Sequence, residues 1–216
     1  MQRESTEERW GLSLAGTAGL ERARAGDVDA FGIVCQELEE ALWRHGLMLC
    51  GDQTMTEDLV QEALITAWRR LDRFDGTCRF RTWVTGILLN LHRNLAKKKQ
   101  PVLESQLQEQ EANGSDLEEP DSDSPLSRVA DCSQGPADEV LLLERAGLIR
   151  KCLDNLPEEQ RDVVQLRFYA GAQLAEIAAV LGCPEGTVKS RLFQAIRKLT
   201  AMPEMRSVLL GNTLEK

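Results

Sequence analysis

The chain is poor in aromatic residues, with five Phe, four Trp and one Tyr among 216 residues. Strands draw on aromatic and β-branched side chains, whereas Leu, Ala, Glu and Arg dominate here, so an all-α fold is expected. Histidine is scarcer still, at His45 and His92, and the six cysteines at 35, 50, 78, 132, 152 and 183 form no C-x-x-C pair. A zinc site is therefore disfavoured, and neither metal nor cofactor is expected. The sequence also lacks a Gly-rich phosphate loop, a nucleophile elbow and any cluster of histidines with carboxylates, which argues against an enzyme. It has no long apolar run: Trp10 to Leu20 is small and apolar but follows Glu4, Glu7 and Glu8 and is too short to span a bilayer. Scattered thiols without a secretory signal fit a reducing cytoplasm, with no membrane insertion. Cys50 and Cys152 sit beside leucines and read as small apolar residues. Cys78 lies among polar residues, a setting that leaves exposure of its thiol open, and nothing nearby favours its thiolate.

The formal net charge is -9, with 42% hydrophobic and 28% charged residues, an ordinary balance for a soluble chain. The charge is unevenly placed. Between Pro101 and Pro136 nine Asp and Glu face a single base, Arg128, so this segment holds -8 of the -9. Arg69 to Lys99 has nine Lys and Arg against Asp72 and Asp75, and Gly186 to Thr200 has four bases and no acid. Two separate basic surfaces follow, each suited to a polyanion.

Five segments are expected: an N-terminal extension (1–26), a helical unit (27–99), an acidic tether (100–136), a second helical unit (137–202) and a tail (203–216). In the first unit Asp27 can cap a helix after Gly26, with Phe31, Val34, Cys35, Leu38, Leu42 and Leu49 on one stripe and a break at Gly51. Thr54 or Thr56 then caps a helix that buries Leu59, Ala63, Ala67 and Leu71, with Trp68 widening the stripe. A third follows the Asp75-Gly76 turn, carrying Phe80, Trp83, Val84, Ile87, Leu88, Leu91 and Leu95 and ending in Lys97, Lys98 and Lys99. The tether loses apolar periodicity and cannot bury enough area to offset chain entropy, so it should be flexible. The second unit holds a helix through Leu153, one opened by Pro157, and a helix-turn-helix.

That last element is the most specific signal. Ile177 and Leu181 lie one turn apart, and Gly182 can take the left-handed conformation that ends a helix. Pro184 suits a first helical position, and Val188, Leu192, Ile196 and Leu199 repeat at helical spacing. The opposite face carries Lys189, Ser190, Arg191, Gln194, Arg197 and Lys198. A helix packed by one side and bearing donors on the other can enter a major groove, so DNA binding is implied.

Two motifs together resemble a known family. Glu57-Asp58-Leu59-Val60-Gln61-Glu62-Ala63, Ala67-Trp68-Arg69-Arg70-Leu71-Asp72-Arg73-Phe74-Asp75-Gly76 and Phe80-Arg81-Thr82-Trp83 resemble region two of extracytoplasmic-function sigma factors. Leu156-Pro157-Glu158-Glu159-Gln160-Arg161, Leu174 to Leu181 and Pro184 to Arg191 resemble region four of the same family, in the same order. The resemblance implies a subunit that joins core RNA polymerase, directs initiation from promoters with minus-35 and minus-ten elements, assists melting, and is no catalyst itself.

By matching positions, Asp58, Gln61 and Glu62, with Trp68 and Arg69 nearby, would meet the clamp coiled coil of the largest polymerase subunit, and region four the flap of the second largest. The minus-ten element would fall to Asp75, Gly76, Thr77, Cys78, Arg79, Phe80, Trp83 and Asn90, with Arg93, Lys97 and Lys98 on the backbone. Phe80 and Trp83 serve equally as core, and Trp83 shares the stripe of Ile87. The minus-35 element would fall to Glu185, Gly186, Thr187, Lys189, Ser190, Arg191, Phe193, Gln194, Arg197 and Lys198. Among these, Lys189, Ser190 and Gln194 are assigned to base edges, and Arg191, Arg197 and Lys198 to phosphates. Gly86 and Ile87 stand where housekeeping sigma factors place paired tryptophans as a wedge, so stricter dependence on promoter sequence is expected. An anti-sigma factor is a further implied partner. The alternatives are a LuxR-type regulator, which would need a different N-terminal half, and a polymerase-binding adaptor that reads no DNA.

Overall fold

The computed structural model describes residues 10–99 and 146–205, with side chains through residue 95 in the first segment. The expected tether, residues 137–145, Cys132, the tail beyond 205 and the side chains of Lys97 and Lys98 lie outside the described residues. All regular structure within them is helical.

The first unit begins earlier than Asp27. Helix α1 (Leu14–Arg24) is capped by Ser13, whose hydroxyl accepts from the Gly16 N–H, and packs along α2 (Val28–Cys50). Its small residues make this possible, since a Cβ at Gly19 would lie 2.9 Å from the Ala30 carbonyl oxygen. Asp27 caps α2 as expected, accepting from the Ala30 N–H at 3.0 Å. That bond to its charged form, joined by Arg22, holds the Asp27 carboxyl below its ordinary range. Gly51, at φ +68°, ends α2 in the left-handed conformation.

The cap of α3 (Gln53–Arg69) is Asp52, not Thr54 or Thr56. Asp52 Oδ1 accepts from the Met55 N–H, while the Thr56 hydroxyl donates to the Asp52 carbonyl and is buried inside the first turn. A 3-10 turn at Leu71–Arg73 and a short loop lead to α4 (Phe80–Lys99). Leu20, Val34, Leu38, Leu42, Leu59, Ala63, Phe74, Phe80 and Leu88 form the core of this unit.

In the second unit residues 146–154 are helical (α5), followed by α6 (Glu158–Phe168), α7 (Leu174–Leu181) and α8 (Glu185–Ala201). Gln173 and Glu176 close a reciprocal capping box on α7, and Gly182, at φ +64°, ends it. Pro184 occupies the N-cap of α8 with extended backbone, one residue before the first-turn position expected for it. Arg161 ties α5 to α6 by donating to the carbonyls of Leu153, Asp154 and Leu156.

The two units also touch. Helix α4 packs against α6 and α7, and the buried His45 ring of α2 stacks on Tyr169 at 4.9 Å between centroids and 7° between planes. No described helix is long and apolar enough to cross a membrane.

Candidate nucleic-acid interface

Helix α8 is anchored by Val188, Leu192, Ala195 and Leu199, all buried, with Ile196 partly so. Its other face presents Glu185, Gly186, Lys189, Phe193, Gln194, Arg197 and Lys198 to solvent, with Thr187, Ser190 and Arg191 half-buried beside them. The expected minus-35 set is thus one contiguous helical face. Phe193 is 47% exposed on this face.

Several of these side chains are already oriented. Gln160, buried at the start of α6, donates to Gln194 Oε1 at 2.9 Å and accepts from Lys198 Nζ at 3.1 Å. Arg191 pairs with Glu159 and reaches Cys183 Sγ, whereas Lys189 has only the exposed one-turn partner Glu185 at 3.5 Å. Gln160 and Glu159 were assigned no role from the sequence. Their signal was the Glu158-Glu159-Gln160-Arg161 run itself, whose polarity goes beyond what opening a helix requires.

The loop before α4 divides. Asp75 and Thr77 are exposed and joined, the Asp75 carboxylate accepting from the Thr77 N–H at 2.9 Å and its hydroxyl at 2.7 Å, with Gly76 at φ +75° between them. Those bonds hold the Asp75 carboxyl below its ordinary range. Asn90 is also exposed. Cys78, whose exposure the sequence left open, is 5% exposed. Burial, with Glu176 and Asp75 nearby, pushes its thiol up to about 12, which disfavours the thiolate. Phe80 is fully buried and packs with Phe74 and Trp83 at 5.1 and 5.6 Å, so both rings belong to the core cluster, Trp83 at its margin.

Arg79 and Arg93 are both engaged by carboxylates of the second unit. The Arg79 N–H and Nε donate to Glu176 Oε1 at 2.7 and 3.1 Å, and Nη2 reaches Glu176 Oε2 at 3.0 Å and the Gly171 carbonyl at 2.8 Å. Burial alone would raise the Glu176 carboxyl, but the bonds from Arg79 and the Gln173 N–H outweigh it and hold it low. Arg93 pairs with both Glu158 and Asp162. For Asp162 burial wins over Arg93, and its carboxyl is raised.

Asp58, Gln61 and Glu62 are exposed along α3. With Leu59, Ile65, Leu91, Asn94 and Leu95 they line a groove of about 1000 Å³ between α3 and α4. Arg69 is exposed, but Trp68 is half-buried against Phe31 at 5.1 Å, a packing residue at the edge of that surface.

Comparison with known proteins agrees with this geometry. Residues 35–101 match the family model for Sigma-70 region 2, and residues 152–201 that for Sigma-70, region 4. The chain is 31% identical over 180 residues to the ECF RNA polymerase sigma-E factor of Escherichia coli, covering 82% of this chain and 87% of that one. It is 29% identical over 182 residues to the ECF sigma factor SigW of Bacillus subtilis, covering 83% and 93%. Its fold is similar to that of CnrH in complex with the cytosolic domain of CnrY, with a TM-score of 0.59 and 25% identity over 87% of this chain and 96% of that chain. The sigma factor RpoE in complex with the anti-sigma factor NepR from Bartonella quintana shares the fold, at a TM-score of 0.51 and 21% identity over 88% and 100%. Two regions matched in order, and relatives alike over most of both lengths, place this chain among the extracytoplasmic-function sigma factors of the sigma-70 family, which are RNA polymerase initiation factors.

Proposed function

We propose that the units built on residues 27–99 and 137–202 divide the work of a sigma factor by face. The α3–α4 groove, with Asp58, Gln61 and Glu62 on its rim, takes the clamp coiled coil of core RNA polymerase. Leu59, Ile65 and Leu91 supply apolar contact there, and the carboxylates and amide set register. Helix α8 reads the minus-35 duplex, with Lys189, Ser190 and Gln194 at base edges and Arg191, Arg197 and Lys198 at phosphates. The exposed part of the loop, Asp75 to Thr77, with Arg79, Asn90, Arg93, Lys97 and Lys98, takes the minus-ten strand, while Cys78 and Phe80 hold the loop from beneath. An anti-sigma factor, as found with RpoE of Bartonella quintana, fits the same faces, and the site of action is the cytoplasm, where polymerase resides.

One observation carries this reading: a basic recognition face and an acidic-rimmed apolar groove sit on separate units of one chain, so each can engage a different partner. The test is co-migration with core polymerase by gel filtration. Asp58→Ala with Glu62→Ala should weaken core binding about tenfold, while Lys189→Ala should leave it intact and impair only promoter selection. Equal loss of core binding in both variants would sink the division of labour.

A further inference from the structure

Gln194 and Lys198, both assigned to the minus-35 duplex, share a partner that lies outside the recognition helix. Gln160, in the first turn of α6, is 8% exposed where α6 packs on α8. Burying a carboxamide is unfavourable unless both of its ends find partners. Here both do: Nε2 donates to Gln194 Oε1 at 2.9 Å, and Oε1 accepts from Lys198 Nζ at 3.1 Å.

The order of these bonds is set by chemistry. A lysine ammonium can only donate, so the end of Gln160 that meets Lys198 must be its oxygen. The Gln160 nitrogen is then left for Gln194 and, as a donor, must meet the Gln194 oxygen. Gln194 is thereby held with Oε1 turned towards α6, and its amide nitrogen has no partner among the described residues although the side chain is exposed on the recognition face. The remaining donors of the Lys198 ammonium stay available to a phosphate.

An unrestrained glutamine offers a donor and an acceptor side by side, the pair that matches N7 and N6 of adenine in the major groove. A glutamine held by its oxygen offers donors alone. Guanine, with N7 and O6 both acceptors, matches that arrangement, whereas the adenine N6 amine opposes it.

We propose that Gln160 is a positioning residue for promoter reading, one that relays the donor-only character of Lys198 to Gln194 and so makes Gln194 select guanine over adenine in the minus-35 duplex. This rests on the assignment of Gln194 to base edges and adds the class of base it accepts. Gln160 itself touches no base; its effect passes through the orientation of one amide.

The test uses the full chain with core polymerase, with initiation rates measured on promoters carrying all four base pairs at each minus-35 position. The position read by Gln194 is the one at which Gln194→Ala flattens the preference. There wild type should favour guanine over adenine on the contacted strand about tenfold. Gln160→Glu keeps the shape but can only accept, from Lys198 and from the Gln194 amide nitrogen alike, so it should turn the Gln194 oxygen outwards and invert that order. Lys198→Met, at an exposed position that leaves folding intact, removes the donor that fixes the relay and should bring the two purines to within about twofold. Altered charge near phosphates acts on every sequence alike and cancels in the ratio. An unchanged guanine-to-adenine ratio in either variant with native helical circular dichroism, or a wild-type preference for adenine, would overturn the relay. If Gln194→Ala flattens no position, the base-edge assignment beneath the relay falls. Absence of promoter-specific RNA with wild type would instead overturn the sigma-factor reading.

Discussion

His45 offers a solution measure of the packed state. It sits on α2, 2% exposed, with Nε2 lacking a hydrogen-bond partner and its ring covered by Tyr169 of the second unit. Burial, with a smaller contribution from His92, pushes its pKa from 6.5 down to about 3. The folded state therefore keeps this imidazole neutral, while the unfolded chain takes up a proton near its ordinary value. The stabilisation is fully present above pH about 6.5 and is lost as pH falls towards 3, at about 1.4 kcal/mol per unit. Between about pH 7.5 and pH 5 the loss is about 2 kcal/mol, a large share of the margin of a small domain. Other groups titrate too, so the informative quantity is a difference. In urea unfolding at a series of pH values, wild type should lose about 2 kcal/mol more than His45→Leu across that interval. At neutral pH His45→Leu should be neutral or slightly stabilising, because it removes a buried nitrogen that has no partner. Parallel pH profiles for the two proteins would refute the reasoning, since a hydrated His45 means that Tyr169 does not cover it in solution.

Three further outcomes are expected. Lys189→Ala should lose about 1–3 kcal/mol of minus-35 binding in a sequence-dependent way, measured by titration against a panel of single-base variants; an equal loss on every sequence would assign Lys189 to phosphate. Leu192→Ala, which removes a side chain 3% exposed beneath the recognition face, should cost about 2–5 kcal/mol in thermal unfolding and weaken DNA binding only through stability. With Gly86 and Ile87 where a tryptophan wedge would stand, open-complex formation, followed by permanganate reactivity, should fall sharply with single substitutions in the minus-ten element; melting of many degenerate promoters would contradict this.

Much of the fold was legible because periodic leucines and special-backbone residues coincide. The Leu38–Leu42 stripe, the Asp27 cap, and Gly51 and Gly182 at helix ends are each dictated locally. Helix α1 was not, because beside Leu20 its inward face is built from Gly16, Thr17, Gly19 and Ala23, whose value is close approach and not hydropathy. The cap at Asp52 was missed for a related reason: Thr56 is as good a capping residue in isolation, but its hydroxyl is drawn to the carbonyl four residues back. The recognition face was readable from charge on one helix. The partners of Arg79 and Arg93 were not, because pairing across dozens of residues depends on how two units meet. Cys78 shows the same limit, since polar sequence neighbours do not report the burial of its thiol.

The most direct measurement is start-site mapping on genomic DNA transcribed by core RNA polymerase with and without this chain. The expected result is a discrete set of new start sites, each preceded by a shared minus-35 and minus-ten pair at fixed spacing and absent with core alone. An unchanged start-site profile, with the chain nonetheless bound to core, would contradict promoter selection and leave an adaptor in its place.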